Sequence, residues 1–130
     1  MVAELRILAD ALGTISGISV LRTRWYAEKI NASLPACIVD YSRPLEPLLT
    51  ESGHELASGE FFYLELAVKP DFVNDPLEAL ERLEAILIQA KDAIRAAFPM
   101  HTVQFIQPEV IEMPFGKQSA LSFICDLYIG

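Results

Sequence analysis

The chain has 130 residues, of which 52% are apolar, and its 18 acidic and 10 basic residues give a formal net charge of −8. This length is typical of one domain with one buried core, so we expect residues 1–130 to form a single domain. No apolar run approaches the roughly 18 to 20 residues that span a bilayer, and no run of Lys or Arg could neutralise a series of phosphates. These features argue against a membrane protein and against sequence-specific binding of nucleic acid.

The first predicted element is a helix over residues 3–12. Leu5, Leu8 and Leu12 recur at spacings of three and four, which is typical of a short helix with one buried face, and Gly13 ends it. The same segment is partly acidic and lacks a basic leader with a cleavage site, so it does not resemble a signal peptide. We therefore expect a cytoplasmic protein.

Two strands are predicted next, over residues 18–26 and 36–41. The first is rich in β-branched and aromatic residues, and the second follows Pro35, which pushes the residue before it toward extended backbone. Residues 42–59 then contain two prolines, two glycines and several acidic residues, a composition typical of an exposed excursion. Connections of this length are uncommon in compact domains and are often functional.

The strongest strand pattern covers residues 60–69. Alternation divides it into two faces, and the apolar face, which we expect to lie on the core, comprises Phe62, Leu64, Leu66 and Val68. The other face is only partly polar and comprises Phe61, Tyr63, Glu65 and Ala67. We expect this face to pack against a loop of the chain, with another layer or another subunit as the alternatives.

A long amphipathic helix is predicted over residues 75–98. Asp75 can cap its first amide groups, Pro76 suits the first helical position and Glu78 completes a capping box. Its apolar stripe, which we expect to pack on a sheet, consists of Leu77, Leu80, Leu83, Leu87, Ala90, Ile94 and Phe98. Pro99 follows the stripe and ends the helix.

The rest of the chain predicts three strands, over residues 101–107, 109–113 and 120–129. They are separated by Pro108 and by a turn at residues 114–118. The order of helix, strands, helix and strands predicts an α+β domain. We expect a largely antiparallel sheet of four to five strands with two helices packed on one face.

The sequence offers few residues for catalysis or for holding a metal. His54 and His101 have no second ligand at the short spacings of metal sites. Cys37 and Cys125 lie in apolar strand segments, where a free thiol behaves as a small hydrophobe, although a disulfide stays open if their strands are neighbours. We therefore predict no catalytic residue, no cofactor and no metal site, and we expect the protein not to be an enzyme, with an enzyme of unrecognised type as the rival.

Trp25 and Tyr26, with Arg22 and Arg24 beside them, form the other notable cluster. Such a group can stack on a ligand through its rings and cations. We expect it instead to pack in the core or at a subunit contact.

Three segments together carry a resemblance to a known family, namely LPACIVDY at residues 34–41, FYLELAVKP at residues 62–70 and ALSFICDLYIG at residues 120–130. With the first helix, the acidic excursion and the long helix, they resemble the lambda minor tail protein U family of phage tail terminators. The resemblance implies a structural protein without a cofactor that forms a ring of six subunits, caps the tail tube and joins the tail to the head.

The same resemblance implies the partners and the location of the protein. Its partners would be further copies of itself, the tail tube and head–tail connector proteins, in the host cytoplasm and in the virion tail. A ring needs two different patches on each subunit that match head to tail. Candidate subunit contacts are Phe61, Tyr63, Glu65, Trp25, Tyr26, Glu51 and Glu55. The alternative is a cytosolic α+β module, unrelated to phages, that binds a small ligand or a protein.

Overall fold

The computed structural model of the protein describes residues 2–22, 24, 29, 31–42, 59–70 and 76–130. In chain order its elements are α1 (Val2–Leu12), β1 (Ser19–Leu21), β2 (Ala36–Tyr41), β3 (Glu60–Val68), α2 (Pro76–Ala97), β4 (Val103–Phe115) and β5 (Gln118–Ile129). The strands form one five-stranded sheet in the order β1-β2-β3-β5-β4.

The sheet is mixed. β1 pairs with β2 in parallel, whereas the β2–β3, β3–β5 and β4–β5 pairs are antiparallel. The predicted α+β class and the largely antiparallel sheet are therefore confirmed, with one parallel pair that the sequence pattern did not indicate. In the described ranges, neither helix has the length and apolar character needed to cross a membrane.

The first strand is much shorter than predicted. The pattern indicated residues 18–26, but β1 contains only Ser19–Leu21, which pair with the start of β2. Arg22 and Arg24 are not part of the strand, and the backbone N–H of Arg24 donates to the side-chain carboxylate of Asp40 at 2.9 Å. Trp25 and Tyr26 lie outside the described residues.

The prediction of two strands around Pro108 was wrong. Residues Val103–Phe115 form the single strand β4, and its register shifts between Ile106 and Glu109. Ile106 pairs with Asp126 and Glu109 with Ile124, so Gln107 and Pro108 together lie opposite one residue of β5. This β-bulge accommodates the proline, which cannot donate to the ladder, without ending the strand.

The larger buried cluster contains side chains from both helices and from the three central strands. From β3 it takes Phe62, Leu64, Leu66 and Val68, as the alternation predicted. From α2 it takes Ala79, Leu83, Ala90 and Ile94, and Phe98 follows the helix.

The predicted stripe of α2 is correct in its second half and shifted in its first turns. Leu77 and Leu80 are 61% and 44% exposed, while Ala79 is fully buried. Each residue turns a helix by about 100°, so burial of Ala79 and Leu83 turns Leu77 and Leu80 to the side of the helix. The capping residue predicted at Asp75 lies outside the described residues.

Candidate functional site on the second face of the sheet

The second face of the sheet is the face that carries Phe61, Tyr63, Glu65 and Ala67 of β3. Cross-strand pairing aligns these residues in rows with side chains of β2 and β5. The rows are Asp40–Tyr63–Asp126, Ile38–Glu65–Ile124 and Ala36–Ala67–Ser122, with the pair Phe61–Tyr128 at the end. This face therefore mixes charged, aromatic and small apolar side chains.

Glu65 is the central polar residue of the face and is fully buried. Its Oε2 lies 3.4 Å from Nζ of Lys29, whose side chain is only 11% exposed. Its Oε1 accepts a hydrogen bond from the Tyr63 hydroxyl. Because a buried carboxylate is costly without a cation and hydrogen-bond donors, these two partners account for its presence in the interior.

Lys29 also contacts a smaller buried cluster on this face. Its Nζ lies 5.3 Å from the ring centre of Phe115, and the cluster comprises Phe115, Ala36, Ile38, Ala67 and Ala120. Leu21, Ala32, Leu34 and Tyr63 pack against the same cluster. Side chains from the connection between β1 and β2 thus cover this part of the face, as expected for packing against a loop of the chain.

Arg24 fixes the neighbouring row. It donates from its backbone N–H to Asp40 and from Nη2 to the Tyr41 carbonyl, both at 2.9 Å. Its guanidinium lies 4.4 Å from the ring centre of Tyr63. Arg24 therefore makes a cation–π contact with Tyr63 within the chain.

Tyr63 is held as a neutral phenol. Burial and the hydrogen bond to Glu65 both raise the pKa of Tyr63 well above its ordinary value. A phenol in this state donates to Glu65 and does not act as a base near neutral pH. The Tyr63–Glu65–Lys29 group is therefore suited to holding the connection onto the sheet.

Phe61 and Tyr128 form an aromatic pair at the end of the second face. Their ring centres are 5.1 Å apart with planes inclined by 48°, and both residues are half-buried. The backbone of Gly59 lies against the Tyr128 ring, since a Cβ there would fall 2.5 Å from a ring carbon. The pair is thus packed firmly from one side and partly open on the other.

A recess of about 190 Å³ lies beside the bulge of β4. It is lined by Tyr63, Gln107, Glu109, Ile124, Cys125 and Asp126. Asp126 accepts a hydrogen bond from the Ser42 hydroxyl at 2.9 Å. Among the described residues, no group of three His, Cys, Asp or Glu side chains is placed to hold a metal ion.

A larger cleft of about 350 Å³ lies between the end of β3 and α2. Its lining is mainly apolar, with the exposed cations Lys69 and Arg82, and includes Leu34, Pro35, Val68, Ala85 and Ile86. Arg82 donates from Nη2 to the Lys69 carbonyl at 2.8 Å. The cleft combines apolar walls with positive charge.

Neither cysteine is placed for nucleophilic chemistry. Cys37 and Cys125 are free and buried, and β3 lies between their strands, so they are not neighbours. Burial raises the pKa of each thiol to about 12, which keeps both protonated near neutral pH. His101 is exposed and meets the edge of the Phe98 ring, and His54 lies outside the described residues.

The structure separates the candidate contact residues. Phe61 and Tyr63 lie half-buried on the second face, whereas Glu65 is buried by contacts within the chain and has no surface to offer a partner. The remaining candidates, Trp25, Tyr26, Glu51 and Glu55, lie outside the described residues, as does most of the 42–59 excursion.

Sequence reasoning missed two features of this face. It did not single out Lys29, because nothing local relates this residue to a carboxylate on a distant strand. It also did not link Tyr128 of the closing strand to Phe61. The alternation of β3 and β5 carried that signal, since both rings fall on the same face.

No family model matches the chain, and no curated protein matches its sequence.

Proposed function

We propose that the protein is a structural, non-catalytic subunit of a phage or prophage tail terminator. In this role six copies form a ring that caps the tail tube and joins it to the head. The three segments that resemble the lambda minor tail protein U family coincide largely with β2, β3 and β5, which are adjacent at the centre of the sheet. The resemblance therefore involves the strands that organise the whole domain.

We infer that both helices cover one face of the sheet and leave the second face for contacts. Side chains of α1 and α2 belong to the same buried cluster as the Phe62 face of β3. The opposite face is covered in part by the connection that carries Arg24 and Lys29. What it leaves partly open is the Phe61–Tyr128 pair.

The Phe61–Tyr128 pair is the observation that carries the proposed subunit contact. Aromatic side chains that are rigid and half-exposed are enriched at the centres of protein interfaces. Phe61 and Tyr128 supply such a surface without further ordering of their side chains, because Gly59 and the neighbouring strand already hold the Tyr128 ring. Tyr63 would support it from the next row.

The charge of the chain fits a channel through which DNA passes. Six copies carry 6 × −8 = −48 formal charges, which repel phosphates and so disfavour sticking. The subunits tolerate this charge where solvent and salt screen it over about 8 Å. Tight binding of duplex DNA at physiological salt would contradict this part of the proposal.

The test is whether the protein caps tail tubes. The chain would be co-expressed with the tail tube and tape-measure proteins of a phage, and a tagged copy would be located on the tubes by electron microscopy. We expect label at one end of each tube and tubes of uniform length. Label along the sides of the tubes would contradict the proposal, as would tubes whose lengths are the same with and without the protein.

A matched pair of variants sharpens this test. Phe61→Asp places a charge in the aromatic pair and should abolish capping while the fold is retained, because Phe61 is only half-buried. Lys117→Asp in the exposed hairpin is the control and should cap normally. Equal capping by both variants would show that the second face is not a contact surface.

The alternative function is a cytosolic module that binds a small ligand, and the 350 Å³ cleft favours it. Its apolar lining with Lys69 and Arg82 would suit a small apolar carboxylic acid. Such an acid should raise the melting temperature of the protein, and Arg82→Ala should remove the effect. A protein that no such acid stabilises would not be this module.

A further inference from the structure

The sheet ends in two edges of very different length. β4 has 13 residues and β1 has three, and these strands are the outermost ones in the sheet order. An edge strand presents unpaired N–H and C=O groups that a strand from another chain can use. Both edges are therefore potential contacts in addition to the second face.

The hairpin between β4 and β5 indicates which groups of β4 point outward. Its loop has two residues, and such loops are closed by a hydrogen-bonded pair, here Phe115 and Gln118. Bonded and non-bonded pairs alternate along an antiparallel ladder, so Val110 and Glu112 direct their N–H and C=O groups away from β5. Pro114 has the same orientation but no N–H, so the outward-directed N–H groups of β4 end at Glu112.

α2 carries a second row of side chains beside its buried row. Leu80, Glu84, Ile88, Lys91 and Arg95 follow one another at spacings of three and four, so they share one side of the helix. Lys91 and Arg95 lie 5.1 and 5.5 Å from the ring centre of Phe105 in β4. The row therefore runs along the β4 side of the sheet, and within it Leu80 is 44% and Ile88 54% exposed.

Val110 and Glu112 lie at the same end of the sheet as the first half of α2. Through β5, Glu112 is level with Val68 of β3. Arg82 of α2 reaches the carbonyl of Lys69, the next residue after Val68. We call the exposed surface formed by Leu80, Glu84, Ile88, Val110 and Glu112 the acidic flank; its Val110 is 50% exposed.

We propose that the acidic flank of one copy receives the β1 edge of the next copy. Two exposed cations lie on the β1 side of the molecule: Arg22 follows β1 directly, and Arg6 lies on α1, which contacts β1 and β2, with exposed Asp10 one turn after it. The strands would join edge to edge while the apolar residues of the flank become covered. The inference rests on the ring-forming part of the proposed function.

Charge favours this head-to-tail contact over a two-fold contact between two β4 edges. β4 contains Glu109 and Glu112 and no cation, so antiparallel pairing of two copies around Val110 and Ile111 would set these carboxylates opposite each other. A head-to-tail contact that repeats by rotation closes a ring. In the sheet, β4 runs antiparallel to β1. A rotation about an axis parallel to the strands keeps every strand direction, so β4 of one copy and β1 of the next would also pair antiparallel.

Charge reversal on each side tests the contact. The flank variant is Glu84→Lys with Glu112→Lys, and the edge variant is Arg6→Glu with Arg22→Glu; all four positions are exposed. Each variant alone should lose assembly by about a hundredfold or more, because like charges meet at every contact. An equimolar mixture should assemble again, since each flank then finds an edge of opposite charge.

The control is Glu78→Lys with Asp92→Lys, which changes the net charge equally at exposed positions of α2 outside the row. It should assemble as the wild type does in multi-angle light scattering after size exclusion. The inference is overturned if the flank variant alone assembles as the wild type does, or if the mixture of flank and edge variants stays monomeric. Either result would still allow a ring that uses other contacts. A wild-type chain that stays monomeric at all concentrations also overturns the inference. The proposed capping function is tested separately, by whether the protein is found at the ends of tail tubes.

Discussion

At the scale of single residues, Glu65 explains how this chain holds its second face together. Strand alternation alone placed it on the second face of the sheet and indicated no partner for its carboxylate. In the structure it is buried and bonded to Tyr63, with Lys29 completing the ion pair. Removing the cation leaves a buried charge unpaired, which costs far more than the pair itself contributes.

Lys29→Met is therefore expected to lower the free energy of unfolding by about 3 kcal/mol. Adding Glu65→Gln to this variant should recover most of the loss, because no buried charge then remains. Urea denaturation followed by circular dichroism measures both effects. Lys117→Met, an exposed lysine in the hairpin, is the control, and equal midpoints for Lys29→Met and the wild type would show that the ion pair is not structural.

The two buried thiols predict how stability depends on pH. Burial raises the pKa of Cys37 and Cys125 from 9.0 to about 12, so the folded chain keeps these protons while the unfolded chain releases them near pH 9. Stability is therefore complete below pH 9 and falls as the pH rises toward 12, since the unfolded state then binds fewer protons. Urea midpoints across this range, in reducing buffer, measure the fall.

Replacing both cysteines by alanine should flatten this alkaline loss, although it lowers stability at every pH by creating cavities. A smaller slope should remain from Tyr63, whose pKa is also raised by burial and by Glu65. Thiols that react in the native protein at neutral pH as fast as in urea would contradict the burial on which this rests.

At the scale of elements, periodic patterns predicted what local rules determine. The helix boundaries, the core face of β3 and the closing strand follow from spacing in the sequence. The length of β1 and its parallel pairing depend on distant partners, Asp40 for Arg24 and Ala36–Ile38 for Ser19–Leu21, which spacing cannot reveal. The resemblance and the alternation indicated Phe61 as a candidate contact residue. They did not predict the burial of Glu65, because this depends on Lys29, which is distant in the sequence.

β4 shows how a strand passes a proline. Gln107 has a φ of +50°, in the left-handed region that is costly for residues with a Cβ. Gln107→Gly should raise the free energy of unfolding by up to about 1 kcal/mol, whereas Gln107→Val should lower it by more than that. Gln104→Gly in the regular part of the same strand is the matched control and should be destabilising by about 1 kcal/mol.

The wild type and these three variants would be compared by urea denaturation under identical conditions. A stability order in which both glycine variants lose equally would show that the bulge imposes no special backbone conformation at Gln107.

At the scale of the whole molecule, the sheet offers two unlike edges and one partly covered face. In the contact that we propose, the acidic flank of one copy meets Arg22 and Arg6 of the next copy, and a head-to-tail contact of this kind would close a ring. The Phe61–Tyr128 pair adds a separate aromatic surface for a partner. A subunit with these surfaces suits assembly, which is the role that the resemblance to tail terminators implies.

Native mass spectrometry of the purified protein over a range of concentrations tests the proposed assembly most directly. The ring predicts a closed species of six copies of the 14.5 kDa chain that grows with concentration at the expense of the monomer, without larger open-ended species. A protein that remains a monomer at its solubility limit, or that stops at a two-fold dimer, would contradict a terminator ring built from these edges.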